Sequence, residues 1–462
     1  MKQLRKIEVS DQNPHLLATD DGKPFLVLGD TAWELFHRLD LAEIERYFQV
    51  RAHQGFNFVW ANLLPEFDGL RVPNRQGDLP LHDANPALPN EQYFAFVDEV
   101  LDLAASYDIY VGLLPAWGDK LTAPWGAGPR IFGLDNLDVA EEYARWLGNR
   151  YADRTNIMWV LGGDRPAKVF GDPDQFPMKN ALEAGLPADI DWTPIWRAMA
   201  RGLKSGGANQ PVTYHPQGGT VSSSQFLHEE PWLDINAIQS GHGGGHDVPI
   251  WDSISRDYHM SPPKPTLDAE PNYEDSPVSP WPTWDPATGF FDDLDVRKQI
   301  YRSIFAGGCG VIYGNHCVWQ FASDLYDPVL EVLFDWRTAL HRPGAESLRY
   351  LASLLGKLDL LKSTPDQSRI VGDPGTGSAR AQAIRTEDVT LVYIPDGRAI
   401  EIDLDWAGAE PVIMQEFDPS NGSSADLPKP IKGQASVTVA AYAARRDRVV
   451  VIQKRTSVAQ LL

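Results

Sequence analysis

Eight short β-rich apolar runs alternate with helix-period segments along most of the chain, and this alternation limits the fold more than any other feature. The runs fall at 25–29, 58–62, 109–114, 157–161, 212–215, 235–239, 265–270 and 311–314. Apolar residues spaced three and four apart mark helices at 42–54, 91–107, 137–151, 193–204 and 296–306, with a weaker signal at 251–258. Strands separated by helices need parallel pairing and crossover connections. Eight of them predict an α/β fold of the closed (β/α)8 TIM-barrel type.

Loop lengths divide the barrel into a plain end and an elaborated end. Helix-to-strand links are short, as in His53-Gln54-Gly55-Phe56 and Ser106-Tyr107-Asp108. Strand-to-helix links at 63–90, 164–191, 216–231 and 271–295 are long and rich in Pro, Gly, Asp and aromatics. In such a barrel these long links share the C-terminal face of the strands, where ligands bind. A hairpin around Asp20-Asp21-Gly22-Lys23 precedes the first strand, and helices at 328–340 and 346–355 are expected to close the barrel.

Beyond residue 360 the pattern changes to short alternating runs at 380–385, 389–394, 399–403, 412–417, 436–440 and 448–453. These fit a small antiparallel β-sandwich. The expected division is a catalytic barrel at 1–360 and an accessory sandwich at 361–462.

Charge narrows the choice of ligand. Sixty-three acidic against 41 basic residues give a net charge of −22, which repels nucleic acid and anionic membranes. A neutral partner such as a carbohydrate suits this surface, and 15 Trp and 15 Tyr supply faces that can stack on sugar rings. The N-terminus lacks a secretory apolar run, so a cytoplasmic location is expected. Cys309 and Cys317 are too few for a disulfide framework or a zinc site, and no cofactor is called for. His242-Gly243-Gly244-Gly245-His246 has the i, i+4 spacing of a zinc helix, but three glycines oppose a helix there.

Two carboxylates stand out by position. Asp164 follows Gly162-Gly163 at the tip of the fourth run, and Glu270 ends the seventh run before Pro271. Period-two alternation places Asp268 and Glu270 on the same side. Strands four and seven face each other across a barrel mouth, so the two acids can flank one glycosidic bond. Hydrolysis needs a proton donor for the leaving oxygen and a carboxylate at the anomeric centre. Asp164 is expected as acid/base and Glu270 as nucleophile in a retaining reaction. Other strand ends offer sugar-binding candidates: Asp30, Trp33, Asn62, Trp117, His215, Gln239, His242, Asn315 and Trp319. Each taken alone is more often structural, whereas together they line one end of the barrel.

The segments Gly29-Asp30-Thr31-Ala32-Trp33, Gly55-Phe56-Asn57, Trp159-Val160-Leu161-Gly162-Gly163-Asp164 and Asp268-Ala269-Glu270-Pro271 resemble the apiosidase-like glycoside hydrolases. The resemblance extends through Tyr313-Gly314-Asn315 and Trp319 and covers roughly residues 10–355. Tyr393-Ile394-Pro395-Asp396-Gly397 and Phe417-Asp418-Pro419-Ser420-Asn421-Gly422 resemble the small β-domain appended to such barrels, which carries a collagen-binding label. The resemblance implies catalysis by Asp164 and Glu270, with exo-action on a terminal sugar, apiose-like or another pentose or hexose, of a plant-type glycoside. The alternative is a non-catalytic glycan-binding protein on a glycosidase scaffold.

Overall fold

The computed structural model describes residues 2–122, 126–168, 190–219, 221–280, 283–428, 433–441, 446–455 and 461. Most of the expected 164–191 loop therefore lies outside the described residues. Eight parallel strands form the barrel: β1 (Val27–Thr31), β2 (Phe58–Asn62), β3 (Tyr110–Leu114), β4 (Ile157–Gly162), β5 (Val212–His215), β6 (Asn236–Gln239), β7 (Thr266–Glu270) and β8 (Gly310–Tyr313). Hydrogen-bonded pairing runs β5-β4-β3-β2-β1-β8-β7-β6, and a parallel bridge between Thr213 and Ile235 closes the ring. The principal barrel helices are α1 (Leu41–His53), α2 (Glu91–Ser106), α3 (Leu137–Arg150), α4 (Thr193–Ser205), α5 (Ile250–Tyr258), α6 (Asp293–Phe305) and α7 (Pro343–Leu355).

Alternation along each strand sorts side chains between two cores. Val27, Phe58, Trp60, Met158, Val160, Leu267 and Ile312 fill the barrel interior. Val59, Ala61, Val111, Trp159, Leu161 and Tyr214 face the helix layer, where they meet Tyr47, Phe94 and Trp196. The N-terminal strands Ile7–Val9, Leu17–Thr19 and Pro24–Phe25 form a small sheet that lays Ile7 and Leu17 against the interior core, at the end away from the long loops.

Helices start where the sequence supplies caps. Asp40 and Glu43 form a reciprocal capping box on α1, and Asp292 and Asp295 do the same on α6. The weak helical signal at 251–258 corresponds to α5. The expected helix at 328–340 does not form as a whole; only Trp336–Ala339 is α-helical. Pro328 can donate no backbone hydrogen bond, and Leu330 sits at φ 57°, a left-handed geometry that no helix continues through.

C-terminal strands β9 (Gln382–Arg385), β10 (Val389–Ile394), β11 (Ile400–Asp403), β12 (Val412–Phe417), β13 (Ser436–Val439) and β14 (Arg448–Lys454) are antiparallel. They divide between two sheets that share a buried core of Val392, Ile394, Ile402, Met414 and Val450. A second apolar cluster continues from α6 and α7 through Tyr301 and Leu351 into Leu391, Tyr393 and Val449, so the sandwich packs directly on the barrel's helices. Among the described residues no helix is long and apolar enough to cross a membrane.

Candidate active site

The tip of β4 is built on glycines because nothing larger fits. Gly162 and Gly163 adopt φ +96° and +95°, and a Cβ on Gly162 would lie 2.2 Å from the carbonyl oxygen of His215. Asp164 follows in the left-handed region at φ 57°. Its backbone N–H donates to Nδ1 of His215 at 3.3 Å. An amide can only donate, so Nδ1 is the acceptor and the imidazole proton sits on Nε2. That proton points at Oε2 of Glu270, 3.0 Å away. One buried imidazole thus joins the two candidate acids.

Glu270 reaches this position through a break in the strand pattern. The pairing of β7 with β6 shifts register between Ile238–Asp268 and Gln239–Glu270. This bulge corrects the simple alternation expected from sequence. Asp268 turns outward to α6, accepting from Ser303 Oγ at 2.7 Å and from Ser240 Oγ at 2.8 Å. Glu270 turns into the mouth, where Oε1 accepts from Gln239 Nε2 at 2.8 Å and bonds His242 Nε2 at 3.0 Å. Burial alone would raise its pKa, but the hydrogen bonds from His215 and His242, and the attraction of those rings, hold the carboxyl well below the usual range. Glu270 is therefore an ionised carboxylate fixed by three side chains. Burial pushes Asp268 up to about 7, with the Glu270 charge adding to it.

Aromatic rings enclose His215. Trp33 lies 5.1 Å from it, Trp60 5.8 Å and Trp117 6.0 Å, centroid to centroid. Asn62, at the tip of β2 and fully buried, has no partner among the described residues for either end of its amide. Buried polar groups are normally paired, so Asn62 is a strong candidate to meet a ligand hydroxyl. Trp319 is 9% exposed and stacks on Phe67 from the loop after β2, with centroids 5.6 Å apart. Trp33, Asn62, Trp117 and Trp319, with His215, Gln239 and His242, sit at the loop end of the barrel.

Two expected binding residues are turned to other work. Asp30 is fully buried and faces outward, its Oδ2 accepting from Tyr47 at 2.7 Å and from Arg51 Nε at 2.6 Å. Alternation explains this, since neighbouring Gly29 is the inward position, against Ile312. Asn315 donates to Asp275 at 2.8 Å and caps the turn at Cys317 N at 2.9 Å, which occupies its amide structurally. Cys309 and Cys317 are buried free thiols. His242 and His246 lie in a loop, where they bond Glu270 and Asp295, respectively.

Sequence reasoning missed two neighbours of the pair. Tyr273, three residues beyond Glu270, is buried; burial pushes its phenol well up, and the Glu270 charge adds to that. Glu66, in the loop after β2, is pushed well above the carboxylate range by burial and then by Glu34, Asp119 and Asp164. The Asp164 side chain, 27% exposed, thus shares its surroundings with a second acid, and its Oδ2 lies 3.9 Å from Arg165. Loop position hides both residues from periodicity. The aromatic directly after Glu270-Pro271-Asn272 is the only local hint.

Across the mouth of a closed parallel barrel, the Glu270 carboxylate and the backbone amide of Asp164 therefore meet at one imidazole. Residues 11–362 match the profile described as the apiosidase-like catalytic domain, and the chain belongs to that family. Residues 364–453 match a profile whose description names a collagen-binding domain of a collagenase. A solved structure described as a glycoside hydrolase is similar at 26% identity and a TM-score of 0.83, covering 99% of this chain and 98% of its own. A family 5 glycoside hydrolase from Bacteroides vulgatus is similar at 26% identity and a TM-score of 0.83, covering 99% and 95%. No curated protein matches the chain.

Proposed function

We propose that the protein is a retaining, exo-acting glycosidase that removes a terminal apiose-like or other pentose or hexose sugar, with Glu270 as nucleophile and Asp164 as acid/base. The state of Glu270 carries this reading. His215, Gln239 and His242 hold this carboxylate at the barrel mouth, which supports a nucleophile aimed at the anomeric carbon. The same carboxylate stays ionised for attack on the anomeric carbon, and donors on both oxygens fix its direction.

Asp164 supports the acid/base role by its place at the β4 tip, its partial exposure and its neighbouring acids. In the first step it gives a proton to the leaving oxygen while Glu270 forms the glycosyl ester. In the second it takes a proton from the water that cleaves that ester. The rings of Trp33, Trp117 and Trp319 are suited to stacking on the sugar, and Asn62 to bonding its hydroxyls.

A panel of aryl glycosides that includes apiosides and arabinosides tests the assignment. Turnover on one member, lost in Glu270→Gln and strongly reduced in Asp164→Asn, is the expected result. Full turnover in both variants removes the mechanism. Tight binding of a glycan with no product from any panel member would instead favour a non-catalytic binding protein.

A further inference from the structure

Helix α6 has no solvent face. Every residue from Asp295 to Phe305 is buried, including Arg297, Lys298 and Arg302. A barrel helix ordinarily shows one polar side to water. Here the outer side is covered by the C-terminal sandwich. Arg297 donates Nε to Asp447 Oδ2 at 3.0 Å and Nη2 to Oδ1 at 3.2 Å, and the hydroxyl of Tyr393 donates to the same carboxylate at 3.1 Å. Tyr301 stacks on Tyr393 with centroids 4.8 Å apart and planes at 17°. Arg302 donates to the carbonyl of Gly377 at 2.8 Å while its guanidinium lies over Trp251.

The opposite side of the same helix holds the loops around Glu270. Gln299 donates Nε2 to Ser240 Oγ at 2.7 Å and accepts from the backbone N–H of Asn272 at 2.9 Å. Asn272 in turn accepts from the backbone N–H of His242 at 2.7 Å, and His242 bonds Glu270. Ser303 secures Asp268 two residues before Glu270. The direction of each bond is fixed. Ser240 gives its one proton to Asp268, so its oxygen is left to accept from Gln299, and Gln299 must then turn its carbonyl to Asn272.

We propose that the C-terminal sandwich is a buttress for the active site: by clamping the outer side of α6 it holds Gln299, a positioning residue, where it fixes the His242 loop against Glu270. This rests on the reading of Glu270 as nucleophile. Transmission needs no motion, only a helix held on two sides by directional contacts. The sandwich thereby contributes to catalysis without touching substrate.

The test uses the full chain and three variants of the sandwich. Tyr393→Ala removes the stack and the hydroxyl, Tyr393→Phe keeps the stack, and Ile402→Ala opens a cavity in the sandwich core away from α6. In Tyr393→Ala, kcat is expected to fall about tenfold with KM changed less than about twofold. Backbone amide exchange at His242 and Asn272 should accelerate in parallel. Tyr393→Phe and Ile402→Ala should leave both readouts near wild type, although Ile402→Ala lowers the melting temperature. Unchanged exchange and kcat in Tyr393→Ala would overturn the buttress, as would equal losses in Ile402→Ala. A fully active Glu270→Gln would instead remove the nucleophile assignment, and amide exchange would still read the buttress on its own.

Discussion

His215 donates from Nε2 to Glu270 at 3.0 Å while its Nδ1 accepts the backbone N–H of Asp164 at 3.3 Å. The ring therefore does two jobs: it keeps Glu270 ionised, and it ties β4 to β7 across the barrel mouth.

Replacing that ring tests the first job. His215→Ala should lower kcat about 100-fold, the scale expected for loss of a hydrogen bond to a buried charge. His242, Gln239 and Tyr273 still face Glu270 in this variant, and Asp268 lies two residues away. Because His215 lowers the Glu270 pKa, its removal raises it, so the acid limb of the pH–rate profile should move to higher pH. Activity measured from about pH 3 to 8 reads the shift against the ordinary carboxylate range. A profile identical to wild type would contradict the role.

Asn62 separates binding from stability. Among the described residues neither end of its buried amide has a partner, which costs stability in the free enzyme. Asn62→Ala should leave the melting temperature unchanged or higher while kcat/KM falls by about 10- to 100-fold. Thermal denaturation and steady-state kinetics on the same preparation check both halves.

Asp30 should behave in the opposite way. Removing one partner of a buried ion pair strands the other, so Asp30→Ala should cost about 3–5 kcal/mol and leave KM of the folded enzyme unchanged. Urea unfolding gives the first quantity and kinetics below the transition the second.

Glu274 predicts a pH dependence of stability. Its carboxyl accepts from Tyr313 at 2.6 Å and from Gly344 N at 3.0 Å, and burial, with Asp275 adding, pushes it up to about 7. Between the ordinary carboxylate pKa and about 7 the folded state holds a proton that the unfolded state has released. Its contribution to stability therefore declines as pH rises through that window and is level above it. Glu274→Gln has no proton to lose, so its stability should decline less from pH 4 to 7, leaving it about 1–3 kcal/mol more stable at pH 8. Chemical denaturation at several pH values measures the difference.

Much of this architecture was legible in the sequence because the barrel strands are short, apolar and regularly interrupted. The elaborated loop end and the strand-tip positions of Asp164 and Glu270 followed from the same pattern. The opposed directions of Asp268 and Glu270 did not, because a bulge is a property of a strand pair and β6 lies some thirty residues away. The outward turn of Asp30 was readable in principle from alternation with Gly29, but its partner Arg51 lies on α1, a full turn of the chain's path later. Glu66 and Tyr273 sit in loops, where no period marks them. The 328–340 segment has helical apolar spacing, but Pro328 and the left-handed Leu330 confine the helix to Trp336–Ala339.

In the proposed reaction Glu270 attacks the anomeric carbon and briefly carries the sugar. Mass spectrometry of the enzyme quenched with a 2-fluoro glycosyl fluoride of the preferred panel sugar tests it most directly. One fluorosugar ester on the peptide containing Glu270, with Asp164 unmodified, is the expected result. Steady turnover of the parent glycoside to product of inverted configuration, with no adduct on that peptide, would contradict it.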